Sequence, residues 1–433
     1  MPLHSLAHQL EDRGEPGRRS YRPLSILYAG TLPPHPGGTA IVGEQLLTGF
    51  ARRGHRVRAV APITAEALRA GDRFAGLHPE ILTLRFVVPY FEVSPNHPAP
   101  AEYRRAEATS VRQALHALVP AERPDVIVIG RESFAWHVPG VADGHKVPAV
   151  ALIHGAGFHG LLNGTMSERD AGALLAGLRA VDQVIAVAHH LAESLRSQGV
   201  AGARVVPNGV DLRRFAPASR KPALIRDLAI ESNDVVVVHA SNLKDLKRPL
   251  DIVLSAEQAL RHNPNLLYVI VGDGPLRPHM EEACSAKGLR HRFRFVGWVD
   301  HDQMPDHLNL ADLVLMPSEC EGLALLYLES LACGRVLLAS DVPAVREVVQ
   351  DGHNGVLFRR GDIADLTAKT LRLARDHERR ARIGARARSM AKPWALEHTV
   401  SSYLSIFAEL VAGPGRRIAV RDDHSPPAAT RPG

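Results

Sequence analysis

The stretch SECEGLALLYLESLACG, residues 318–334, sets two carboxylates, Glu321 and Glu329, with seven residues between them, directly behind the apolar run LVLMP. On a helix that spacing leaves them about 80° apart and two turns along. Carboxylates at the carboxyl end of a strand, where open α/β sheets bind their ligands, can read the hydroxyls of a sugar or a ribose. Gly322 lets the backbone approach a ligand, and the free N–H groups of a first helical turn can receive a phosphate. Taken by spacing alone, the same residues also read as a helix cap at Glu321 and a surface side chain at Glu329.

Other stretches carry compatible chemistry. SNLKDLKRP, 241–249, places Lys244, Lys247 and Arg248 in a strand-to-helix loop, either facing the same crevice or simply solvated. VGDGP, 271–275, is a tight turn in which Asp273 also has a plain reading as a turn residue. PHPGGTAIVGEQL, 34–46, puts Gly37 and Gly38 between a first strand and a first helix, without the full G-x-G-x-x-G pattern. LIHGAGF, 152–158, ends a strand with His154 and two glycines, a pattern that suits a cleft floor and equally a structural histidine.

These sites need elements to hold them. Short apolar runs alternating with helical patterns argue for parallel sheets built from βαβ units. The runs fall at 24–29, 57–61, 81–88, 125–129, 147–153 and 183–187, then in a second series at 234–239, 266–271, 293–296, 313–316 and 336–339. The fold class expected is therefore α/β, with two Rossmann-like, doubly wound parallel-sheet domains and a cleft between them. Within RVVPNGVDLRRFAP, 204–217, proline, Asn-Gly and Asp break both periodicities and mark a linker over 206–217. The domains then run over 23–205 and 218–392. A last helical pattern, 393–411, has no strand left to serve and is expected to return to the first domain. Residues 1–22 read as a flexible extension and 413–433 as a disordered tail. The proline-rich stretch 89–101 reads as a loop at the mouth of the first sheet, where specificity tends to reside.

A length of 433 residues fits two domains plus a tail, and 45% hydrophobic with 23% charged residues excludes a disordered class. No run approaches the roughly 18 apolar residues of a membrane span, and the first 22 residues lack a signal core, so a cytoplasmic protein is expected. The net charge of +6 is spread out, which argues against a nucleic-acid partner. Arg372–Arg388 contains Asp376 and Glu378 and reads as a solvated helix face, with peripheral contact to a membrane surface as the alternative. Cys284, Cys320 and Cys333 form no C-x-x-C pair and read as core thiols. H-E-x-x-H, G-x-S-x-G and the P-loop are absent, and His189 with His190 cannot share a helix face, which argues against a zinc hydrolase, a serine hydrolase or a P-loop kinase.

In this order the motifs resemble the family-four retaining glycosyltransferases of the GT-B fold, from 24 to 411. EGLALLYLE is similar to the family's E-x7-E signature, and PNGVD (207–211), VGDGP, the Gly-Gly loop and RGHRV (53–57) are similar to its other landmarks. The resemblance implies a nucleotide-diphosphate sugar as substrate, an acceptor that is a small molecule or glycan, no cofactor and no metal. It implies that Glu321 binds donor-sugar hydroxyls, that Gly322 and Leu323 offer N–H groups, and that Glu329 holds the ribose diol. Lys247 matches the lysine on the diphosphate, His154 the histidine beside the reacting sugar, and Gly38 the loop that closes over the phosphates. The chain departs from the family where Asn242 stands in place of arginine and Ala324 in place of glycine. An S-N-L…K-R stretch also resembles the branch that joins N-acetylglucosamine to malate, which favours UDP-N-acetylglucosamine or UDP-glucose over GDP-mannose. A nucleotide-sugar epimerase or glycoside phosphorylase on the same fold, and a silent nucleotide-sugar-binding partner, are the rival readings.

Overall fold

A computed structural model of the chain describes residues 22–69, 81–88, 101–162 and 164–413. The expected extension up to residue 21, the loop over 89–100 and the tail from 414 lie outside the described residues. Among the described residues thirteen strands form two sheets. The first comprises β1 (Ser25–Ala29), β2 (Arg56–Thr64), β3 (Leu82–Val88), β4 (Val126–Ile129), β5 (Ala149–Ile153), β6 (Gln183–Ala186) and β7 (Arg204–Val205), in the order 3-2-1-4-5-6-7. The second comprises β8 (Val235–Ala240), β9 (Leu266–Val271), β10 (Phe293–Gly297), β11 (Leu313–Met316), β12 (Val336–Ser340) and β13 (Val356–Phe358), in the order 10-9-8-11-12-13.

Every pairing is parallel. Central strands such as VIVI, LLYVIV and LVLM are buried along their whole length, so they are continuous apolar runs and not alternating ones. Strand order reverses between β1 and β4 and again between β8 and β11. Those are the switch points at which an open α/β sheet leaves a crevice for ligands. Two short strands went unread in the sequence: β7, two residues immediately before the expected linker, and β13, three residues after Gly355.

Six helices position the site: α1 (Gly38–Ala51), α2 (Ala156–Leu162), α3 (His189–Ser197), α4 (Pro249–Leu260), α5 (Leu325–Ala332) and α6 (Leu396–Ala412). Between the sheets, Val210 N–H donates to Trp394 O at 2.8 Å and Leu396 N–H donates to Val210 O at 3.0 Å, so the two crossing segments run side by side. Arg388 ties them down, donating to the carbonyls of Leu212, Phe215 and Ala332 at 2.8–3.0 Å. The basic stretch is thus not wholly a solvated face: Arg388 turns inward, and Arg380 donates to the carbonyls of Leu373 and Ala374. α6 returns to the first sheet, where Phe407 packs edge-on against Phe50 of α1 with ring centroids 5.6 Å apart. Among the described residues no helix is long and apolar enough to cross a membrane.

Candidate functional site

The loops that leave the carboxyl ends of β1, β4, β5, β8 and β11 meet around a cavity of about 460 Å³ between the two sheets. From the second domain, the loop after β8 brings Asn242, Lys244 and Lys247, and the loop after β11 brings Glu321, Gly322, Leu323 and Ala324. Lys247 Nζ donates to Glu321 Oε1 at 2.6 Å, and the carboxylate is 8% exposed. α5 begins only at Leu325, because Ala324 is extended (φ −65°, ψ 131°). Glu321 therefore stands in the loop ahead of the helix, and the 80° helical angle between the carboxylates does not apply. The loop still delivers both to one cavity: Glu329, inside α5 and 4% exposed, lines it with its Oε1 2.6 Å from His301 Nε2. His301 packs in turn against Phe215, at 5.3 Å between ring centroids.

The first domain closes the cavity from the other side. Gly37 and Gly38, at the start of α1, face Asn242 and Leu325 across the cleft. His154 follows β5, and neither of its ring nitrogens has a hydrogen-bond partner among the described residues. Burial pushes its pKa down to about 4, so at neutral pH it offers the cavity a neutral imidazole. The turn after it is anchored by Glu132, whose carboxylate accepts N–H bonds from His154 (2.9 Å), Gly155 (2.7 Å) and Phe158 (2.9 Å). On its outer side the same turn meets the second domain backbone to backbone. A Cβ on Gly322 would lie 1.8 Å from the His154 carbonyl oxygen, so only glycine permits this approach.

Gly37, Gly38, Asn242, Lys244, Lys247, His154, Glu321, Gly322, Leu323, Ala324 and Glu329 all line the cavity. Two candidate residues do not. Arg248 turns away, donating to Asp251 at 2.6 Å and Glu319 at 2.9 Å. Asp273 pairs with Arg277 at 3.1 Å, outside the lining. The VGDGP turn has a packing reason instead: a Cβ on Gly274 would lie 1.9 Å from Asn242 O, so the turn supports the Asn242 loop from beneath. Cys320 lines the cavity and is not a core thiol, unlike the buried Cys284 and Cys333.

Sequence reading missed Glu132, His159, His190 and His301. His190 and Glu132 stand next to strand ends, as His154 does, but nothing in the local pattern announces a partner more than twenty positions away.

A carboxylate paired with a cation, a second buried carboxylate and a neutral imidazole around one cavity can hold a ligand that carries both hydroxyls and anionic oxygens. Residues 36–214 match the family model described as Glycosyltransferase Family 4, and residues 220–390 match that of Glycosyl transferases group 1. The chain is 34% identical over 230 residues to a D-inositol 3-phosphate glycosyltransferase of Salinispora tropica, covering 50% of this chain and 48% of that one. It thus spans about half the length of that relative. It is 24% identical over 388 residues to an N-acetyl-alpha-D-glucosaminyl L-malate synthase of Bacillus anthracis, covering 88% of this chain and 96% of that one. The fold is shared with Anabaena HepE, solved in complex with UDP and glucose, at a TM-score of 0.72 and 18% identity over 89% of this chain and 99% of that one. With both halves matched in order, and the loops of two doubly wound sheets converging on one cleft, the chain belongs to the family-four glycosyltransferases of the GT-B fold.

Proposed function

We propose that the protein transfers a glycosyl group from a nucleotide-diphosphate sugar to a hydroxyl or amine of a small-molecule or glycan acceptor in the cytoplasm, with the α configuration retained and without a metal. The observation that carries this reading is the placement of Lys247, Glu321 and Glu329 in one cavity opposite His154. Donor-sugar hydroxyls fall to Glu321, the ribose diol to Glu329, and the diphosphate to Lys247 with the backbone N–H groups of Gly322 and Leu323. In a front-face displacement the bond from the anomeric carbon to the β-phosphate oxygen breaks, the acceptor oxygen or nitrogen bonds to that carbon, and its proton passes to the departing phosphate. Charge grows on the phosphate, and preorganised donors stabilise it. His154, neutral, positions hydroxyls of the reacting sugar.

A UDP-linked hexose or N-acetylhexosamine is the favoured donor, supported by the likeness to the malate synthase and to a protein that binds UDP and glucose. A thermal-shift panel of nucleotide sugars tests it, since a ligand at 100 times its dissociation constant stabilises by about 2.7 kcal/mol. Turnover should release nucleoside diphosphate with an acceptor, or slowly with water, and should survive excess EDTA. Activity lost to EDTA and restored by Mg²⁺ or Mn²⁺ would end the metal-independent reading. Asn242, standing where the family has arginine, favours a second reading as a silent nucleotide-sugar-binding partner, which would bind in the panel and release nothing.

A further inference from the structure

Helix α3 of the first domain opens without a cap of its own. The residue before it is Ala188, which has no side-chain acceptor for the first N–H groups. The acceptor comes from the other domain. Glu347, just past the short helix Pro343–Arg346, receives His189 N–H on Oε2 at 2.9 Å and His190 N–H on Oε1 at 3.0 Å. Its Oε1 also lies 3.0 Å from Nδ1 of the His190 ring. The other ring nitrogen, Nε2, is 3.2 Å from the backbone carbonyl of Glu321. Both side chains of this clasp are less than a fifth exposed.

The clasp grips one end of a peptide group whose other end is already held. In a trans peptide the C=O and N–H point in opposite directions, so fixing the Glu321 carbonyl fixes where Gly322 N–H points. Gly322 is pressed against the His154–Gly155 turn on its far side. The first domain therefore holds the Glu321–Gly322 peptide from two directions, through an imidazole and through a backbone turn.

We propose that His190, held by Glu347, is a positioning residue for glycosyl transfer: when the domains close, it locks the Glu321–Gly322 peptide and presents Gly322 N–H to the donor. The proposal rests on the glycosyltransferase reading of the cavity. UDP binding rests mainly on Lys247 and Glu329 in the second domain and should depend only weakly on the clasp, whereas turnover, in which charge grows on the phosphate that Gly322 N–H faces, should depend on it strongly.

The test compares the full chain with His190→Ala, His190→Gln and Glu347→Ala, measuring kcat, UDP affinity, Tm and the radius of gyration by X-ray scattering. In His190→Ala and Glu347→Ala, kcat should fall about ten-fold with UDP affinity within about two-fold of the parent. His190→Gln, which keeps an N–H donor for the Glu321 carbonyl, should recover part of that loss. Glu347→Ala should also enlarge the radius of gyration, because two orphaned N–H groups then favour water over the interdomain contact. Parental kcat in His190→Ala, a Gln variant no better than Ala, or kcat and UDP affinity falling together with Tm would overturn the positioning role. Scattering needs no substrate: an unchanged radius of gyration in Glu347→Ala overturns the clasp, while a parent that turns over no nucleotide sugar defeats only the glycosyltransferase reading.

Discussion

Lys247 Nζ stands 2.6 Å from Glu321 Oε1, which joins the loop after β8 to the loop after β11 across the second sheet's switch point. In the proposed reaction the lysine's charge is shared between that carboxylate and the departing diphosphate. Lys247→Ala is expected to cost roughly 3 kcal/mol of transition-state stabilisation, by analogy with other electrostatic donors. Asn242 lines the same cavity with its Oδ1 buried and unpartnered among the described residues. Asn242→Arg should therefore strengthen nucleoside-diphosphate binding and partly rescue Lys247→Ala, giving the non-additivity of neighbours that serve one ligand. Unchanged nucleotide affinity in Lys247→Ala, with additive effects in the double variant, would move the diphosphate away from this loop.

The two carboxylates should separate kinetically. Glu321→Gln keeps the shape but loses the anion, and should lower turnover at least ten-fold, in the range of a lost charged contact. Glu329→Ala should chiefly weaken nucleotide binding and leave His301 without its partner. Steady-state kinetics and calorimetry on both variants check this. Parental behaviour in both would remove the E-x7-E assignment.

Gly322→Ala probes the backbone contact between the domains. A methyl group 1.8 Å from the His154 carbonyl cannot be accommodated unless the two loops part. Turnover should drop by about a hundred-fold, the scale of a small misplacement at a reacting centre, while circular dichroism stays native. A variant with full turnover would mean that this contact is dispensable for the reaction.

Histidines whose charged form is disfavoured by burial make stability depend on pH, His239 and His154 among them. His239 bridges Leu315 O and Ser241 Oγ, both at 2.8 Å. Burial pushes its pKa down to about 4, with the Leu315 carbonyl opposing and Lys247 adding to the shift. His154 falls to about 4 by burial as well. Unfolded histidine titrates near 6.5, so below that pH the unfolded chain takes up protons that the folded chain refuses until about 4. Their contribution is whole above roughly pH 6.5 and is lost as the pH falls towards 4. Tm should decline through that window, and His239→Gln should decline less steeply. Equal slopes would show that His239 does not contribute to the pH dependence.

Much of this site was legible because strands buried on both faces write themselves as unbroken apolar runs, and the residues just after them occupy the crevice. Glu321, Lys247 and His154 stood out beside strand ends that way, while the functional reading of all three, and of Glu329 within its helix, came from the family resemblance. Arg248 and Asp273 were misplaced because a loop's sequence does not say which way each side chain turns: Arg248 had Asp251 and Glu319 within reach, and Asp273 had Arg277. Glu132 and Glu347 stayed hidden because each accepts backbone N–H groups from distant positions, and a backbone donor leaves no mark in the residue alphabet.

The return of α6 onto α1 has a consequence for how the chain is made. Phe50 is synthesised long before Phe407, yet each is the other's packing partner, and Val400 fills the space over Gly49. Until α6 emerges, the face of α1 that carries Phe50 lacks that partner. The nascent first half must carry that apolar face through synthesis of the second sheet and its helices. The first layer is therefore completed only after the second sheet has been synthesised.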